Sequence, residues 1–164
     1  MGAELTEPAR RAERFSRAIY GTIIITALLV PLEDHGATAD EVVGAIVGSA
    51  FVLFLAHAYA TGLGRGVATR HVPRLRDFGA ILLDNLPLLL TAVVPTLVFL
   101  LAAAGAISLH TAFRAAIGYG LVSLFALGFN FGRMTHHRRS DGLVRGISAA
   151  GLGGAIVLLE AALE

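Results

Sequence analysis

An all-α membrane bundle of five helices is the fold class that the sequence predicts, and two observations predict it. The first is composition: of 164 residues, 55% are hydrophobic and 15% charged, with a mean hydropathy of +0.73, whereas a soluble domain carries roughly a quarter charged residues. The second is segmentation. Five apolar stretches, each close to the roughly 20 residues that a helix needs to cross about 30 Å of hydrocarbon, fall at Phe15–Leu32, Val42–Leu63, Leu86–Ala104, Ala112–Phe131 and Leu143–Leu163. The whole chain, 1–164, reads as one transmembrane domain.

The glycines support this class. There are 19, with no Trp, and they lie within the apolar runs without a three-residue period, which excludes a collagen-like or low-complexity chain. In lipid, small residues let helix backbones approach. With no Cys, disulfides, thiolate catalysis and Cys-ligated metal are excluded. All 13 cations are Arg, a choice that topology does not require, since Lys would serve equally well.

Each element has local reasons. The first follows Arg10, Arg11, Arg14 and Arg17 and is expected to stop at Pro31 and the polar run to Gly36, because proline and glycine punctuate helices. It is read as a retained helix and not a cleaved signal peptide, despite the A-T-A before Asp40, since Glu33 and Asp34 occupy the presumed cleavage region. For the third helix, Asp84 or Asn85 is expected to cap the N-terminus with Pro87 in the first turn, and Pro95 to kink the middle. The preceding HVPRLRDFGAILL either lies along the interface or extends that helix.

Charge sets the expected orientation. The N-terminus, the second-to-third connection (Arg65, Arg70, Arg74, Arg76) and the fourth-to-fifth (Arg133, Arg138, Arg139, Arg145) are basic, and the other two connections hold no Lys or Arg. By the positive-inside rule the N-terminus is cytoplasmic and the C-terminus external. Arg114 alone departs from the pattern and is expected to snorkel or pair with an acid.

Candidate chemistry begins with LAHAYA, where His57 stands in an apolar run. An ionisable side chain in a membrane helix is expensive, so His57 reads either as a proton relay or substrate contact or as a neutral imidazole bonding a neighbouring helix. Ala50, Leu53, Phe54 and Thr61 share its face, and Tyr59 points elsewhere. Tyr20 and Arg17 at the start of the first helix, Asp84 and Asn85 at the start of the third, Asn130 at the end of the fourth, and Arg145 with Ser148 at the start of the fifth fall towards the same side. Asp84 is the expected partner for His57 or an Arg. The alternative is that these are ordinary interfacial caps. Glu160 lies near the other end, where with Glu33, Asp34, Asp40, Glu41 and Glu164 it forms either a cation-concentrating rim or a solvated acidic edge.

The small-residue pairs Gly44/Gly48 and Gly142/Gly146, the latter extended by Ala150 and Gly154, are expected to pack helices within the chain, and Gly118, Gly120, Ser123 and Gly128 likewise. His136 and His137 lack ligand spacing and fit an Arg-rich loop on anionic lipid better than a metal site. No cofactor motif, catalytic triad or nucleic-acid module appears, and neither an enzyme nor a nucleic-acid partner is expected.

FSRAIYGTI at Phe15–Ile23 and AHAYA at Ala56–Ala60 resemble the first and second helices of small multi-pass membrane proteins common in actinobacteria. That resemblance implies a bacterial plasma-membrane location and transfers no site residue. The closing GRMTHHRRSDGLVRGISAAGLGGAIVLLE loosely resembles the last hairpin of vacuolar iron transporter-like proteins but lacks their acidic metal-binding pattern, so iron transport is not carried over. The functional expectation is a small channel or transporter for protons, cations or a small solute, with His57 and its neighbours in the path. The alternative is a non-catalytic scaffold or accessory subunit packed against a partner. A homo-oligomer is expected, because so small a bundle cannot easily enclose a path alone.

Overall fold

The computed structural model describes residues 7–69 and 75–135, with isolated helical positions at 147, 148, 151 and 155. Among the described residues the chain is all-helical: α1 (Glu7–Asp34), α2 (Ala39–Thr69), α3 (Leu75–Ala103) and α4 (Leu109–Thr135). All four are long and apolar enough to cross a membrane. The predicted fifth helix, Leu143–Leu163, with Arg145, Glu160, Glu164 and the Gly142/Gly146 pair, lies outside the described stretches, as do His136 and His137.

The four helices contain 27 to 31 residues, and at 1.5 Å rise each is about 40 to 47 Å long, against roughly 30 Å of hydrocarbon. Their ends must therefore project into the headgroup layers, which makes charged end turns affordable. This extension also moves several predicted boundaries. Leu75 to Leu83 continue α3, so Asp84 and Asn85 stand in its third turn and cap nothing, and Pro87 is interior. Tyr20 and Arg17 are likewise well inside α1, and Asn130 is more than a turn from the end of α4. Pro31 sits in the last turn of α1 without ending it.

The stop comes from glycine. After α1, Gly36 adopts φ 65°, Gly36 N–H donates to Glu33 C=O at 3.1 Å and Ala37 N–H to Leu32 C=O at 3.0 Å. After α3, Gly105 adopts φ 75°, with Gly105 N–H donating to Ala102 C=O at 2.9 Å and Ala106 N–H to Leu101 C=O at 2.9 Å. Both are Schellman closures, which use a left-handed residue to satisfy carbonyls that the helix leaves open. Each is followed at once by a cap. Thr38 N–H donates to Glu41 Oε2 at 2.8 Å while Glu41 N–H approaches Thr38 Oγ1 at 3.5 Å, and Thr111 N–H donates to Ser108 Oγ at 3.2 Å. Gly105→Ala is expected to destabilise by about 1 kcal/mol, the cost of a left-handed alanine, read as a lowered midpoint of unfolding in mixed micelles.

These two tight reversals make the helices antiparallel in sequence. One end of the bundle holds both Gly turns and Arg114; the other holds Arg14, Arg17 and Arg65. At the turn end His110 Nδ1 lies 3.3 Å from Glu33 Oε1, joining the two reversals.

In section, α1 and α3 touch at the centre, α2 packs mainly on α3, and α4 packs on α1 and less on α3, so α2 and α4 occupy opposite flanks. The turn-end half is filled by Ile25 and Leu29 of α1, Val42, Ile46 and Ala50 of α2, Ala92 and Phe99 of α3, and Ala112, Phe113 and Ala116 of α4. Phe99 and Phe113 meet edge to face with ring centroids 4.9 Å apart, a favoured aromatic geometry. Only 22% to 33% of the most apolar stretch of each span is buried, and Phe51, Val52, Leu83, Leu90 and Val122 face outward, as lipid-facing residues should.

Small residues act at specific crossings. A Cβ on Gly120 of α4 would collide with Thr26 of α1, and one on Gly21 of α1 would stand 2.7 Å from Thr91 Oγ1 of α3. Gly44, Gly48 and Gly118 correct the sequence reading: open space lies where their side chains would be, so within the described residues they bring no helices together. Their spacing matches a packing motif, but the backbone geometry turns them away from the bundle.

Candidate functional site

Asp84, Asn85, Arg14, Arg17, Arg65 and His57 lie in the arginine-end halves of their helices. Asp84 lies 19 residues before the end of α3 at Ala103, about 28 Å along the axis, which puts it at the edge of the hydrocarbon if Ala103 is at the other. Three helices meet there. Arg65 of α2 donates from Nη2 to Asp84 Oδ2 at 2.7 Å, Arg14 of α1 reaches Oδ1 from Nη2 at 3.5 Å, and Arg17 of α1 donates from Nη1 to the Asp84 carbonyl at 2.8 Å. Arg17 also donates to Glu13 Oε2 at 2.9 Å, one turn earlier on its own helix. The Asp84 side chain is 18% exposed and Arg17 13%, against 54% for Arg14 and 39% for Arg65. Geometry explains the convergence: a side chain leans towards the N-terminus of its helix, so Arg65 on α2 and Asp84 on the oppositely directed α3 lean towards each other.

His57 is half-buried and its Nδ1 lies 3.2 Å from the Leu53 carbonyl, four residues back. A carbonyl only accepts, so this bond requires the proton on Nδ1. The ring of Tyr20 on α1 lies 5.2 Å from the imidazole, tilted by 45°. The expected hydrogen bond from His57 to another helix is thus replaced by a bond within α2 and a ring contact across to α1. Ala50 and Phe54, on the face shared with His57, are buried, and Tyr59 is exposed.

Asn85 is fully buried. Its Nδ2 donates to the Ile81 carbonyl at 2.7 Å, while its Oδ1 has no hydrogen-bond partner among the described residues. Thr22 and Thr26, the other buried polar residues among those described, each donate to the carbonyl four residues back, at 2.8 and 2.7 Å. Asn130 does the same to Ala126 at 2.8 Å, on an exposed surface of α4. This back-bonding is how a polar side chain is carried within an apolar helix.

The structure therefore brings Asp84 together with Arg17, and His57 with Tyr20. Asn85 occupies the turn beside Asp84, Asn130 stands apart, and Glu160 lies outside the described residues. Arg14 and Arg65 were read from sequence only as topology charges. The available signal was spacing: His57, Thr61 and Arg65 recur every four residues on α2, and Arg14 and Arg17 share a face of α1. At the turn end Glu41 is engaged in its cap and Glu33 faces His110. Among the described residues no group of three or more His, Asp or Glu side chains is placed to hold a metal ion.

Comparison with known proteins adds no relative: no family model, curated protein or solved structure matches the chain.

Proposed function

We propose that this integral membrane protein is a non-catalytic, non-conducting component that acts by packing with a partner or with further copies of itself in the membrane. The observation that carries this reading is the filled turn-end half, where Leu29, Val42, Ile46, Phe99 and Ala112 are each wholly enclosed. A hydrated path through one copy would have to cross that layer. The polar residues, in contrast, satisfy their own helices or tie α1, α2 and α3 together at one boundary, which is a structural use of charge.

The arginine end is assigned to the cytoplasm of a bacterial cell on the positive-inside rule, with α1 entering from that side. The chain has no native cysteine, so single Cys replacements test this. Ala104→Cys should react with an impermeant maleimide added outside intact cells, and Val67→Cys only after permeabilisation.

Transport is the second reading, favoured by the buried Oδ1 of Asn85, which has no hydrogen-bond partner among the described residues, and by the half-exposed His57 and Tyr20 pair. Proton and cation flux into proteoliposomes separates the two. The packing role predicts no flux above empty liposomes for wild type or His57→Ala. Flux that His57→Ala abolishes, with the fold intact, would establish transport instead.

A further inference from the structure

We infer that Asn85 holds an internal water molecule, which bridges its Oδ1 to the guanidinium group of Arg17 where α3 meets α1. Asn85 is fully buried, and its Nδ2 donates to the Ile81 carbonyl at 2.7 Å. Only the amide nitrogen can face a carbonyl in this way, so the bond turns Oδ1 away from Ile81. That oxygen has no hydrogen-bond partner among the described residues. An amide oxygen enclosed without a donor is costly, and such atoms in folded proteins are commonly met by ordered water.

The helix itself cannot supply the donor. Back-bonding satisfies side chains that donate, because the carbonyl one turn earlier accepts, whereas Oδ1 needs an N–H or O–H, and interior N–H groups are spent on the helix ladder. The inward hydroxyls are spent too: Thr22 on the Ala18 carbonyl, Thr26 on Thr22 and Thr91 on Leu88. About one turn to either side of Asn85 stand Ile81 and Leu88, both wholly enclosed. Ile81 Cδ1 would lie 3.7 Å from a Cβ on Gly62 of α2, and Leu88 Cδ2 3.3 Å from one on Gly21 of α1. Asn85 thus sits between a residue packed on α2 and one packed on α1, with apolar atoms above and below.

Arg17 brings a donor to this level. Its Nη1 donates to the carbonyl of Asp84, the neighbouring residue, at 2.8 Å, and its Nη2 to Glu13 Oε2 at 2.9 Å, while a guanidinium carries five N–H groups. The side chain is 13% exposed, so it is held at the helix junction. A water that accepts from Arg17 and donates to Asn85 Oδ1 gives the enclosed oxygen its donor and has the two polar partners that a buried water needs. Asn85 lies one residue, about 1.5 Å, further along α3 than Asp84, so the water stands just inside the membrane boundary. One enclosed water is no path, and the site is independent of whether the protein conducts.

The test is radiolytic hydroxyl-radical labelling of the purified full chain in detergent, read residue by residue by mass spectrometry. Radicals formed from a bound water mark its enclosed neighbours, so Ile81 or Leu88 should be labelled. Leu29 and Ile46, equally enclosed in the apolar half, should stay unlabelled. Asn85→Leu and Arg17→Met should each abolish the labelling, and Asn85→Leu should lower the midpoint of unfolding, because a bonded oxygen is lost. If Asn85→Leu fails to fold, the contrast within the wild-type chain decides alone. Ile81 and Leu88 as silent as Leu29, or labelling that survives Asn85→Leu, would overturn the site. So would a midpoint raised by Asn85→Leu, the mark of a bare acceptor removed. Labelling that survives Arg17→Met would overturn the bridge to α1.

Discussion

Gly120→Leu should force α4 away from α1 and cause the largest loss of stability of any single change in the described core. At this crossing even a Cβ would run into the Thr26 hydroxyl and lie 3.1 and 3.2 Å from Thr26 Cγ2 and Cβ. Thr26 is 3% exposed and its hydroxyl is bonded to the Thr22 carbonyl at 2.7 Å, so it has little room to yield. Overpacking a close contact costs about 1–3 kcal/mol, and a leucine at the backbone crossing belongs at or above the upper end. Gly120→Ala should fall within that range. Thr26→Ala removes the hydroxyl and the γ-methyl, so the pair Thr26→Ala/Gly120→Ala should be more stable than Gly120→Ala alone. The check is reversible unfolding in mixed micelles. A Gly120→Ala midpoint equal to wild type would show that α1 and α4 do not meet at this point.

Asp84→Ala is expected to have the second large effect, because it removes the carboxylate that Arg14 of α1 and Arg65 of α2 share on α3. Exposed ion pairs contribute about 0–1 kcal/mol, whereas breaking a buried one costs about 3–5 kcal/mol. With Asp84 18% and Arg65 39% exposed, a loss of about 1–3 kcal/mol lies between these limits. The cycle of Asp84→Ala, Arg65→Ala and the double variant should return a favourable coupling of about 1–2 kcal/mol. Arg14→Ala should cost less than about 1 kcal/mol, since its contact is long and its side chain is mostly solvated. Additive single losses at Asp84 and Arg65 would mean that the pair does not bind α2 to α3.

These two positions show how differently a sequence exposes its constraints. Gly120 is one glycine among Gly118, Gly120 and Gly128 on α4, and nothing in their spacing distinguishes the one that meets Thr26 from the one that faces open space. The Gly44/Gly48 pair carried the stronger motif and makes no close approach to another described helix. A small-residue repeat records that a close approach is affordable, but which neighbour makes it depends on how the helices are rotated about their axes.

Composition and segment length by themselves determined that the described chain is helical and apolar enough to span a membrane, because an unpaired backbone in hydrocarbon leaves the helix as the solution for a segment of that length. The stop at each Gly turn was also local: glycine supplies the left-handed residue, and Thr38 or Ser108 the cap. Helix extension was less legible, since Leu75 to Leu83 mix charge with apolar residues and a projecting end turn tolerates both. Only the tertiary structure decided what the polar residues do. It gave Asp84 to Arg65, Arg14 and Arg17, set His57 against Tyr20 instead of an acid, and left the buried Asn85 oxygen without a partner among the described residues. Partnership across helices depends on their direction, stagger and rotation, and these are set by the packing of all the spans together.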